Sequence, residues 1–188
     1  MNKLAPTAST VISIFLFLYT TIVFGNSLPK SKIQSQTPVC SENRSPYRDL
    51  DFLVGRWDFF TMDGKKIAAQ VYSKKEQGCL IHEDWSTLFG GTGTGMNFVD
   101  PATGKWRQVW MSPRYHIDYS GGLVENGDFV LEGRIYPNNG EPVSAIRGVY
   151  SRQADGSVVK EFLTFDESTK IWKRFFIGVA RRNLEKEE

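Results

Sequence analysis

The sequence predicts an all-β protein: an antiparallel meander of about ten strands that closes into a barrel. Three observations predict it. Turn-forming groups recur at nine places after residue 50, at spacings that fit strands of ordinary length. The segments between them alternate apolar and polar residues, and none shows a convincing helical period. Every connection is hairpin-short, and a ten-strand meander leaves exposed edges unless it curls and closes on itself. The 188 residues suffice for one domain with a real core, and 17 glycines suit a protein with many tight turns.

Residues 1–25 read as a secretory signal peptide. Lys3 supplies the positive start, Val11 to Phe24 an apolar core, and Val23-Phe24-Gly25 a place to cut. The competing reading is a retained anchor. The apolar run is shorter than the roughly 20 residues a membrane span needs, and Thr20-Thr21 interrupts it. No membrane span is therefore expected after cleavage, and the location is periplasmic or secreted. Thr37-Pro38-Val39 before Cys40 is no lipid-attachment motif. Residues 26–46, polar and without period, read as a flexible lead-in. Within it, Asn43-Arg44-Ser45 is a formal glycosylation sequon that matters only in a eukaryotic source. Ser45 to Leu53 is the one place for a short helix, with Ser45 at the N-cap and Pro46 at N1.

The barrel is expected over residues 47–183, with a charged tail at 184–188. Its turns are Asp63-Gly64, Glu76-Gln77-Gly78, Gly90-Gly91, Asp100 to Gly104, Ser112-Pro113-Arg114, Asn126-Gly127, Asn138-Asn139-Gly140, Asp155-Gly156 and Asp166 to Thr169. Asn-Gly and Asp-Gly are strong hairpin turns because both central residues tolerate positive φ. Asp100 to Trp106 and Asp166 to Trp172 share their Asp-to-Trp spacing, which suggests two hairpins of similar geometry.

Gly78 to Trp110 holds three of the five tryptophans. Side chains alternate along a strand, so Glu83 and Trp85 share one face, and Trp106, Gln108 and Trp110 share another. His82, Asp84 and Ser86 take the opposite face. A closed barrel must turn the indoles inward, carrying a carboxylate and a carboxamide with them. Such groups are either internal hydrogen-bond struts or part of a ligand pocket. Gln108, Tyr115 and Arg147 are the candidate donors to Glu83, whose pKa burial should otherwise raise.

Gly55-Arg56-Trp57 on the first strand resembles the G-x-W signature of lipocalin and calycin barrels. A wider run resembles a family of exported bacterial proteins with a lipocalin-like domain. It includes Cys40, Tyr47 to Phe52, Gly78-Cys79, Glu83-Asp84-Trp85, Gly95 to Phe98, Trp106 to Trp110, Trp172 and Arg181-Arg182, and spans about residues 40–182. The resemblance implies a lipocalin/fatty-acid-binding-protein-like barrel and an exported location, and carries no particular activity. In calycins the signature Trp plugs one barrel end under an Arg from near the chain end. Here Trp57 would stack under Arg181 or Arg182. His82, His116 and Lys160 match nothing in the family pattern.

Cys40 and Cys79 are the only cysteines. An even count in an exported chain favours a disulfide, with free structural thiols as the alternative. His82-Glu83-Asp84 and His116-Ile117-Asp118 repeat an H-x-D pattern that fits exposed pairing better than a metal site. Gly90 to Gly95 lacks the Gly-Lys-Ser/Thr ending of a phosphate loop, so no cofactor is expected. A net charge of +2 with scattered bases gives no case for nucleic acid. The expected partner is a small apolar or amphipathic molecule, held by Glu83, Trp85, Trp106, Gln108 and Trp110. The rival readings are an isomerase- or cyclase-type enzyme using Glu83 as acid or base, and an envelope structural or interaction module with a filled barrel.

Overall fold

The computed structural model describes residues 38–184. The signal-peptide assignment, most of the lead-in and most of the charged tail lie outside that range.

Ten strands form one closed antiparallel barrel in simple meander order, in which the first strand pairs with both the second and the last. They are β1 (Gly55–Phe60), β2 (Lys66–Lys75), β3 (Leu80–Thr87), β4 (Thr92–Val99), β5 (Trp106–Met111), β6 (Tyr115–Leu123), β7 (Phe129–Pro137), β8 (Ser144–Arg152), β9 (Val158–Asp166) and β10 (Ile171–Arg182). All nine turn groups fall between strands. Closure satisfies the backbone groups that an open meander would leave at two edges.

Alternation sets the core. Trp57 and Phe59 on β1, Ala68 and Tyr72 on β2, Ile81 on β3, Ile117 and Tyr119 on β6, and Phe129 and Leu131 on β7 all point inward and are buried. The turns alternate between the two ends of the barrel, as they must in a meander. One end is closed by the segment before β1. Leu50 and Leu53 are each 1% exposed there. Trp57 is buried beside them, and its indole N–H donates to the Leu53 carbonyl at 2.6 Å. Of the two arginines expected above Trp57, Arg182 does the stacking, at 4.3 Å from the ring centroid. It also donates to the Phe52 and Val54 carbonyls at 2.8 and 2.5 Å. Arg181, one residue earlier on the outward register, lies over Phe60 instead.

The expected short helix is a correction. Residues 45–50 form successive turns, and only Asp51–Leu53 makes a 3-10 helix. Backbone bonds run from residue i+3 to i: Asp49 to Pro46, Asp51 to Arg48, Leu53 to Leu50. The Pro46 carbonyl also accepts the Trp106 indole N–H at 2.8 Å. Seating Leu50, Leu53 and that carbonyl against the barrel end sets the path of the segment.

Cys40 and Cys79 form a disulfide across 39 residues. Cys79 precedes β3 directly, and Cys40 lies in a 3-10 turn, Val39–Ser41. The described part of the lead-in, 38–46, is thus tied to the barrel. Arg48 reinforces the tie by donating to the Cys40 carbonyl at 2.6 Å. A loop of this length is worth roughly 3–4 kcal/mol in the chain-entropy account.

The two Asp-to-Trp hairpins differ in geometry. Both aspartates accept a backbone N–H two residues on. However, the β4–β5 turn lies at the closed end and the β9–β10 turn at the other. Trp106 is buried inside, whereas Trp172 lies outside under Arg147, 4.5 Å from its ring centroid.

Trp57→Ala should cost on the order of 3–5 kcal/mol, as truncation of a large core residue. Chemical denaturation checks it: a variant within 1 kcal/mol of wild type, on the scale of surface substitutions, would show that the closed end does not depend on this plug.

Candidate functional site

Halfway along the barrel, five strands each send a polar side chain inward. Gln70 (β2), Glu83 (β3), Gln108 (β5) and Lys160 (β9) are 2–4% exposed, and Tyr119 (β6) is buried beside them. They form one network. Lys160 Nζ donates to Gln70 Oε1 at 2.6 Å and to the Tyr72 hydroxyl at 2.7 Å. Gln70 Nε2 donates to Glu83 Oε1. Gln108 Nε2 donates to Glu83 Oε2 at 2.5 Å. Gln108 Oε1 accepts from the Tyr119 and Tyr150 hydroxyls, the latter at 3.3 Å.

The direction of these bonds is informative. Each glutamine accepts through its carbonyl from a lysine or tyrosine and turns its NH2 towards Glu83. Donation therefore converges on one carboxylate from both sides. Lys160 and Glu83 are linked through the Gln70 amide. Three aromatic rings surround the ammonium: Tyr72 at 4.7 Å, Tyr150 at 5.3 Å and Phe59 at 5.7 Å from Nζ to centroid. Their faces offset part of the lost hydration.

Burial raises the Glu83 pKa, while the Lys160 charge and hydrogen bonds from Tyr72, Gln70 and Gln108 pull it back. Burial lowers the Lys160 pKa to about 8, against the Glu83 charge, which raises it. The two groups are thus moved towards each other.

Two glycines make room for this arrangement. Gly93 and Gly95 face inward on β4. A Cβ at Gly95 would sit 2.8 Å from Glu83 Oε2, and one at Gly93 would overlap the Trp110 indole at 2.1 Å. The glycine-rich stretch therefore gives the Glu83 and Trp110 side chains their space.

Above the polar floor the barrel is hollow. A cavity of about 750 Å3 runs from Gln70, Glu83, Gln108 and Lys160 to the end opposite the Trp57 plug. Its wall is aromatic. Phe59 packs edge-on against Trp85 at 5.0 Å, and Phe176 lies 5.5 Å from Phe59 and 6.1 Å from Phe162. A bulge in β10 between Arg174 and Phe176 aims Phe175 at the mouth. There it meets Tyr115 at 5.6 Å, while Phe89 and Arg114 line the rim.

Four of the five residues expected around a ligand line this cavity: Glu83, Trp85, Gln108 and Trp110. Trp106 does not. It points inward but one barrel layer too low, packed at the closed end against Phe129 at 6.0 Å. Of the expected donors to Glu83, Gln108 is one. Tyr115 sits at the mouth, and Arg147 faces outward to pair with Glu132. The donor on Glu83's other side is Gln70, which sequence reasoning passed over, backed by Lys160, which it noted only as a departure from the family pattern. Their signal was present, since Ala68, Gln70 and Tyr72 keep period two on β2, as do Val158, Lys160 and Phe162 on β9.

The H-x-D pairs face outward on β3 and β6. His82 pairs with Asp84 at 3.2 Å. His116 stacks on Tyr136 at 4.5 Å, and Asp118 instead takes two bonds from Arg107, at 2.8 and 2.6 Å. No protein-family model matches the chain, and a comparison with curated proteins finds no significant match.

The Lys160 and Glu83 shifts have opposite consequences for stability with pH. Between about pH 8 and the ordinary lysine value, the unfolded chain holds a proton that folded Lys160 has released, so stability rises with pH there. Glu83 acts with the opposite sign: it keeps its proton longer when folded, so stability falls as pH rises from the ordinary carboxylate range through its raised pKa. Buried Tyr72, Tyr119 and Tyr150, whose pKa values are raised well above 10, reverse the gain once free tyrosine ionises. Melting curves from pH 8 to 10 should show wild type gaining on Lys160→Met. Parallel curves would mean that Lys160 titrates as in free solution.

Proposed function

We propose that this protein binds a small, mostly apolar molecule inside its barrel, outside the reducing cytoplasm. The observation that carries the reading is the cavity: about 750 Å3, with a mainly aromatic wall between a polar floor and a rim that includes Arg114. That volume lies within the usual range for small-molecule sites, roughly 300–1,000 Å3, as does the ratio of many apolar walls to a few placed polar groups. A ligand's apolar body would lie against Trp85, Trp110, Phe162 and Phe176. Its polar end would meet the floor of Glu83, Gln108, Gln70 and Lys160.

The Cys40–Cys79 bond supports the compartment, because disulfides persist in oxidising surroundings. No helix among the described residues is long and apolar enough to cross a membrane. With the signal-like residues 1–25, these features favour a periplasmic or secreted protein. Intact-mass analysis of exported protein should show loss of the segment up to about Gly25 and a deficit of two protons. A full-length chain with both thiols alkylatable would end the assignment.

A second reading rests on one observation. Glu83 and Lys160 line the same cavity, and burial raises the one pKa and lowers the other, in the direction of neutral pH where a general acid or base works best. This is the isomerase- or cyclase-type alternative.

Titration with an environment-sensitive apolar fluorophore tests the binding reading. The probe should bind at one site per chain and quench tryptophan emission, since Trp85 and Trp110 face the cavity. Glu83→Gln should keep the fold and change the probe's affinity or its pH dependence. Absence of binding, with Glu83→Gln altering only the melting temperature, would make the carboxylate a strut and the barrel a structural module.

A further inference from the structure

Lys160 is the group in this molecule that binding by contact leaves unexplained. An apolar ligand needs no ammonium, and a barrel needs none for stability, since burying a charge costs more than filling the space with a hydrophobic side chain. Lys160 nevertheless sits 2% exposed at the floor of the cavity. Gln70 Oε1 and the Tyr72 hydroxyl take two of the three positions on its nitrogen. Those are its hydrogen bonds among the described residues, and Lys160 lines the cavity.

We propose that Lys160 captures a carbonyl-bearing apolar ligand, an aldehyde or unhindered ketone, as a reversible imine at the cavity floor. The proposal rests on the cavity-binding reading and names the ligand class. The amine nitrogen adds to the carbonyl carbon, forming a C–N bond, and the carbonyl oxygen takes a proton to give a carbinolamine. That oxygen then leaves as water, and the nitrogen keeps one proton. In sum, ammonium and carbonyl give a protonated imine and water. Charge is conserved and nothing is oxidised or reduced.

Three features of the site suit this product. The protonated imine keeps the single positive charge that Glu83 balances through Gln70, so the pair of buried charges stays matched. The rings of Tyr72, Tyr150 and Phe59 around Nζ suit a delocalised cation as well as an ammonium. The cavity above is aromatic, so a conjugated body attached to the carbonyl would lie against Trp85 and Phe176. Burial also supplies the reactive form: with a pKa of about 8, roughly a tenth of Lys160 is free amine at neutral pH, far more than of an exposed lysine. Glu83, Tyr72 and Tyr150 are the other titratable groups around this nitrogen.

The test uses 2-naphthaldehyde, with 2-naphthalenemethanol as a partner of similar shape that cannot form an imine. Wild-type protein is incubated with the aldehyde at pH 8, reduced with cyanoborohydride and mapped by peptide mass. One adduct per chain is expected, on Lys160, formed about tenfold or more faster than on any exposed lysine. The alcohol should bind and slow it by competition. Lys160→Met should lose the adduct and keep the alcohol. The wild-type map stands by itself if that variant does not fold. Alcohol binding without an adduct on Lys160, or adducts spread over exposed lysines, would overturn the imine and leave the cavity reading standing. Failure of both molecules to bind would overturn both.

Discussion

The Glu83–Gln70–Lys160 chain at mid-barrel is the constraint on which the rest depends. Two opposite charges lie out of water, and each costs several kcal/mol unless its hydrogen-bonding positions are filled. Gln70 and Gln108 donate to Glu83, and Gln70 and Tyr72 take two of the three positions on Lys160, with Tyr119 and Tyr150 behind Gln108. A one-residue slip in any of these strands would turn its polar group outward and leave its partners unmet. The network thus holds the register that the apolar residues alone specify less sharply. Gly95 belongs to the same constraint, because only a residue without Cβ lets the Glu83 carboxylate occupy its place.

The barrel's two ends divide the work. At one end, Leu50, Leu53, Trp57 and Trp106 fill the interior, with Arg182 over Trp57 and the disulfide fastening the preceding segment. At the other, the interior stays open, and aromatic side chains reach the rim, with Phe89 84% exposed. Packing at the first end supplies the stability that a hollow second end gives up. The polar floor lies between them, so anything entering from the mouth meets aromatic surface first and the charged pair last.

Much of this was legible in the sequence. The nine turn groups located every hairpin, because Gly, Asn and Asp mark positions that other residues avoid. Period-two alternation placed Glu83, Trp85, Gln108 and Trp110 on the inside. Alternation says which side a residue faces and nothing about its height, so Trp106 was expected in the cavity and lies below it. The shared spacing of Asp100 to Trp106 and Asp166 to Trp172 does not extend to their geometry, because five turns apart in a meander they fall at opposite ends. The pairing of Gln70 with Lys160 was missed because the two lie 90 residues apart, on strands distant in sequence. Only closure of β10 on β1 brings their strands near. Conversely, Arg147 was a plausible donor to Glu83 by charge alone, and its register on β8 sends it outside to Glu132.

We propose that the hollow end holds a small, mostly apolar molecule above the Glu83–Lys160 floor. Native mass spectrometry tests it most directly, on protein purified without denaturation and again after exposure to an extract of apolar metabolites. One small molecule per chain is expected, released by acid or organic solvent and displaced by an apolar probe. A bare polypeptide mass in both samples would contradict it.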